Sequence, residues 1–95
     1  MIAIKAHVEA CGHATYPDGF HAQAHVFVRT DDWSQADEMA SRRLTDFGWK
    51  TLSLSGSVKL PDNADTTGMS AISAEAFLQA SEFGIAHVAY PKSAT

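Results

Sequence analysis

The chain has one cysteine, three prolines, no block of basic residues and no long apolar run. A single thiol cannot close an internal disulfide, which fits a reducing compartment. Seven Lys and Arg stand scattered against eleven Asp and Glu, for a formal net charge of −4. Binding by phosphate neutralisation is therefore disfavoured. No apolar stretch approaches the ~20 residues of a membrane-spanning helix. The opening MIAIKAHVEA lacks the charged-then-apolar layout of a signal peptide. Glycine-rich phosphate loops, the GxSxG elbow and the CxxC pair are absent too. The expectation is a cytoplasmic protein that engages neither nucleic acid nor membrane.

What is present is an ordinary globular composition, 45% hydrophobic over 95 residues. That length suits a single domain over residues 1–95 with one modest core. Ile2, Ile4, Ala6, Val8 and Ala10 alternate with Lys5, His7, Glu9 and Cys11, and Ala22, Ala24, Val26 and Val28 alternate with polar neighbours. Period-two alternation marks half-buried strands. Between them, Pro17-Asp18-Gly19 carries hairpin-turn chemistry. A three-residue turn there sets Tyr16 against Phe20, Ala14 against Ala22, Ala10 against Val26 and Val8 against Val28. The apolar partners coincide, which predicts a hairpin running from Ile2 through Tyr16 and back; the alternative is a shorter hairpin with CGHATYPDGFHA, residues 11–22, as a floppy loop.

Trp33, Ala36, Ala40, Leu44 and Phe47 recur at helical spacing. Asp32 with Gln35 resembles a capping box, and Gly48 stands where a left-handed cap belongs. Leu52, Leu54, Val58 and Leu60 alternate as a third strand, with Gly56 as a bulge candidate. A polar loop containing Asp62 and Asp65 follows. Ile72, Ala76, Phe77, Ala80 and Phe83 predict a second helix, stopped by Gly84. IAHVAY closes as a fourth strand. The order ββαβαβ reads as an α+β fold with both helices on one face of one sheet. It resembles a ferredoxin-like two-layer sandwich with a long N-terminal β-hairpin, a likeness of shape that carries no function.

Four of the five histidines and the one cysteine lie between His7 and His25. In the expected register Cys11 faces His25 and His13 faces Gln23, so Cys11, His13 and His25 are candidate ligands for a zinc-type ion. The same register makes Cys11 and His25 neighbours, but an open strand offers no oxyanion hole, which argues against nucleophilic catalysis. The extended hairpin is too long for helices of the same domain to cover. Tyr16 and Phe20 at its tip, above the small residues Ala14 and Ala22, therefore form a candidate interface with a second copy or another protein. The sequence points first to a small non-enzymatic interaction or regulatory module, homodimeric or protein-binding. The alternative is a metal-binding protein using the Cys/His cluster.

Overall fold

The computed structural model describes residues 1–61, 63 and 65–91. In chain order these form β1 (Ile2–Ala10), β2 (His21–Val28), α1 (Trp33–Asp46), β3 (Trp49–Lys59), α2 (Ala71–Phe83) and β4 (Ile85–Pro91). The strands make one antiparallel sheet in the order β3-β1-β2-β4. The fold is α+β, with the β1–β2 hairpin at the centre of the sheet.

Alternation decides what each face covers. Ile2, Ile4, Ala6 and Val8 join Ala22, Ala24, Val26 and Val28 beneath Ala36, Ala40 and Leu44 of α1 in one buried cluster. The opposite face is polar over most of its length but carries Phe27 and Ala86 at one end. Those two pack with Ala76, Phe77 and Ala80 of α2, and the rings of Phe27 and Phe77 meet edge-on at 5.9 Å. The two helices therefore lie on opposite faces of the sheet.

This corrects the expectation of a two-layer sandwich. An apolar patch on the wrong parity of β2 and β4 needs its own cover. The short stripe of α2 supplies it, so there are three layers. A ferredoxin-like sheet arises from a βαββαβ order, and the likeness stops at class: four antiparallel strands and two helices.

The hairpin also differs from expectation. Val8 pairs with Ala22 and Ile2 with Val28, a slip of six residues from the predicted register. An even slip keeps every side chain on its expected face. β1 ends at Ala10, and residues 11–19 form a compact Ω-type loop. Its neck is closed by Ala10 N donating to the Phe20 carbonyl (2.7 Å) and Gly19 N to that of Ala10 (3.0 Å). Inside it, Gly12 N donates to Asp18 Oδ1 at 2.9 Å. Tyr16 and Phe20 do stack, at 4.5 Å between ring centroids, but their neighbour is the chain's own buried Trp49, 5.7 Å from Tyr16. An extended arm would have left both rings in water. Folding back recovers burial worth about 1.5–3 kcal/mol for each fully covered ring.

Capping sets the helix ends. Asp32 accepts from Gln35 N at 3.0 Å. The reciprocal half of the box is replaced by Thr30, whose Oγ1 accepts from Asp32 N and meets Gln35 Oε1 at 2.8 Å. Ser70 caps α2 by accepting from Ser73 N. Gly84 ends α2 in the left-handed region at φ 95°, and a Cβ there would meet nothing within 4 Å. Gly84→Ala is thus expected to cost about 1 kcal/mol, from backbone conformation alone. A denaturation midpoint indistinguishable from that of the parent would remove this cap.

The predicted core shrinks at its margins. Ile72 and Phe83 are exposed, because the buried stripe of α2 centres on Ser73, Phe77 and Ala80 and leaves them at its border. Trp33 and Phe47, at the two ends of α1, are also exposed. Each is partly covered by a cation: Lys59 Nζ lies 5.2 Å from the Trp33 ring, and the Arg43 guanidinium 4.4 Å from that of Phe47.

Candidate interaction site

The sheet sends the histidine-rich stretch to both of its faces. His25 pairs with Lys5 in β1 rather than with Cys11 and lies on the α2 side, its ring edge-on to Tyr90 at 5.2 Å. Tyr90 in turn is held by Ser70 Oγ (3.0 Å) and Ser73 Oγ (2.7 Å) of α2. His13 is on the other side. Its ring packs 4.5 Å from that of Trp49, and its Nδ1 accepts from the backbone N–H groups of Thr15 (3.0 Å) and Tyr16 (3.3 Å). Cys11 is exposed in the loop and borders a groove with Ser41, Thr45 and Trp49.

Cys11, His13 and His25 are therefore not brought together, because the register that united them is not the one the chain adopts. The expected pairing of Cys11 with His25 dissolves for the same reason. Among the described residues, no group of three or more His, Cys, Asp or Glu side chains is arranged to hold a metal ion. Of the two loop acids, Asp62 lies outside the described residues. Asp65 accepts from Thr67 N (2.9 Å) and Oγ1 (2.7 Å), which closes a local turn.

Two histidine pairings emerge that the expected register had hidden. His7 Nε2 and His21 Nδ1 lie 2.8 Å apart on the polar face. On the α1 side, Arg43 Nε donates to His87 Nδ1 at 3.0 Å, and the Phe47 ring stands edge-on to His87 at 4.6 Å. Burial first, then the positive charge of Arg43 and the nearby His13 ring, push the pKa of His87 down to about 4. The neutral ring is what this site accommodates, since a proton on Nδ1 would face the Arg43 donor.

Tyr16 and Phe20 are half-buried on the chain's own core, and Ala22 is fully buried, while Ala14 remains exposed. Besides the exposed apolar residues of the two helices, three lie along β3. Leu52, Leu54 and Val58 are 42%, 43% and 52% exposed. Sequence alternation had assigned them to the core. Two register shifts against β1 leave Ser55 and Leu52 as extra residues, and these bulges turn the strand at the rim of the sheet. Lying beyond β1, it has no described strand on its outer side.

β3 is eleven residues long, an edge strand, and the longest strand of the sheet. Among the described residues no strand pairs with its outer edge. Alternate backbone N–H and C=O groups there point outward, the arrangement that accepts another strand. No described helix is long and apolar enough to cross a membrane. Comparison with models of protein families, with characterised proteins and with solved structures gives no match, so what this surface does must be argued from its own geometry.

Proposed function

We propose that the chain is a small interaction module that self-associates through β3, two copies pairing these strands antiparallel about a twofold axis. The observation that carries this reading is the unpaired outer edge of β3, flanked by exposed Leu52, Leu54 and Val58. Natural sheets blunt such edges with proline, short strands, bulges or charges placed along them, and of these devices β3 has its two bulges. Residues 49–59 contain no proline, and their two lysines, Lys50 and Lys59, stand near the ends. Parallel pairing would set each lysine against its own copy. Antiparallel pairing centred on Leu54 sets Lys50 against Val58 of the second copy and Lys59 against Trp49, which removes that repulsion. The local twist added by the bulges is matched by symmetry, because both strands carry it. An isologous contact closes at two copies and leaves no open end to propagate. The opposite edge, on β4, is shorter and ends at Pro91, so β3 is the better strand acceptor.

Sedimentation equilibrium should then give a dimer at high micromolar concentration. Leu54→Lys places two ammonium groups across the axis and should yield monomer. The side chain is exposed, so the melting temperature of the monomeric unit should change little. A monomeric parent protein, or a variant that remains dimeric, would sink this reading.

A further inference from the structure

α2 packs on the β4 and β2 half of the polar face, and no described helix packs on its β1–β3 half. There the surface is hollow, and the hollow has a local cause. Gly56 stands directly opposite Lys5 in the register, so one side chain is missing from the middle of the strand. A Cβ built on Gly56 would meet nothing within 4 Å. The adjoining bulge turns Ser55 so that its hydroxyl donates to the Lys5 carbonyl at 3.2 Å. The result is an open pocket of about 300 Å³ between β1, β2 and β3, at the small end of the range for organic ligands.

Its chemistry is one-sided. Ala3, Phe27 and Val58 supply apolar surface, and none of its described lining residues is acidic. The two ionisable groups among its described lining residues, Lys5 and His25, are direct cross-strand partners. Their side chains rise from Cβ atoms roughly 4.5–5.5 Å apart, so one anion can be met by both. The ammonium of Lys5 presses His25 toward its neutral form, after burial, which acts in the same direction. A negative charge seated between them relieves that repulsion.

We propose that this pocket binds a small aromatic carboxylate, its ring against Ala3, Phe27 and Val58 and its carboxylate between Lys5 and His25. The apolar surface favours a flat hydrocarbon body, and the paired bases favour an anion over a neutral molecule. The site lies inward of the β3 edge and does not depend on self-association.

The test is a titration of the isotopically labelled full chain with 2-naphthoate, with naphthalene-2-carboxamide as the uncharged counterpart. The acid should move backbone amide resonances of residues 3–5, 25–27 and 55–58 and few others, and the amide should bind about tenfold more weakly or worse. Lys5→Met should erase the preference for the acid. Gly56→Val should fill the pocket and weaken both ligands about tenfold or more, while a β-branched residue suits the strand and keeps the fold. Circular dichroism checks that last point, and the shift map of the parent protein stands without either variant. Absent or scattered shifts, equal binding of acid and amide, or a Gly56→Val protein that binds like its parent would each overturn the proposal.

Discussion

Gly48→Ala should be among the most damaging single-methyl additions in this chain, costing about 3 kcal/mol. Part of the loss is conformational, since Gly48 sits at φ 85°, where an L side chain is strained by about 1–2 kcal/mol. The rest is steric. A Cβ on Gly48 would lie 2.7 Å from His13 Cα, 2.9 Å from His13 N and 3.1 Å from the Gly12 carbonyl oxygen. Those are backbone atoms, and no rotamer change relieves them. The same residue accepts a hydrogen bond from Cys11 N at 2.8 Å, so the loop 11–19 is docked on the point where α1 stops. To admit the methyl group, the loop must lift, and Tyr16 and His13 would lose their packing on Trp49. Gly84→Ala serves as the control, because it carries the strained φ without a neighbour. The difference between the two variants, read from urea midpoints at constant slope, measures the loop contact alone. Equal losses would mean that the loop does not rest on the cap.

That coupling explains what could be read from the chain in advance. The helix stops were legible because a terminal aromatic followed by glycine and then a strand is a local signal, and both Gly48 and Gly84 adopt positive φ. The facing of β1 and β2 was legible because alternation fixes parity. The register was not. A slip of six still sets apolar residues against apolar ones, and the turn residues Pro17, Asp18 and Gly19 serve a nine-residue loop as well as a tight hairpin. What decides between them is Trp49, which is distant in sequence and offers Tyr16 and Phe20 a surface to fold onto. The same slip separates the three candidate ligands, since placing Cys11 opposite His25 required strands that ran on to Tyr16.

The second helix shows a different limit. Its apolar residues announce a helix, but which face of the sheet it covers depends on Phe27 and Ala86, joined by Ala3 and Val88, which put an apolar patch on the more polar parity. The exposure of Leu52, Leu54 and Val58 was hidden as well. Alternation reports that a strand has two faces, and it cannot report that a strand lies at the rim with nothing beyond it.

Acid should weaken the fold well before the carboxylates titrate, and His87 should account for most of the effect. The unfolded imidazole takes up its proton near 6.5 and the folded one near 4. Between those values the unfolded chain binds the extra proton, so stability falls as pH falls. The contribution is complete above about pH 6.5 and is lost progressively down to about pH 4. A shift of that size corresponds to about 2 kcal/mol once the ring's partial access to water is allowed for. His25 is lowered as well, by burial and by Lys5, and adds a smaller loss of the same sign. His87→Gln keeps an acceptor for Arg43 Nε but has no proton to take up. Its stability should therefore vary less than half as steeply as that of the parent between pH 6.5 and 4, as followed by urea denaturation at closely spaced pH values. A variant with the parent's full slope would assign the acid sensitivity to other groups. Because His87 faces Arg43 and Phe47 at the end of α1, and His13 of the loop contributes to its shift, the first elements to loosen in acid should be that helix end and the loop. Amide exchange near residues 11–19 should accelerate before exchange in the β1–β2 hairpin does.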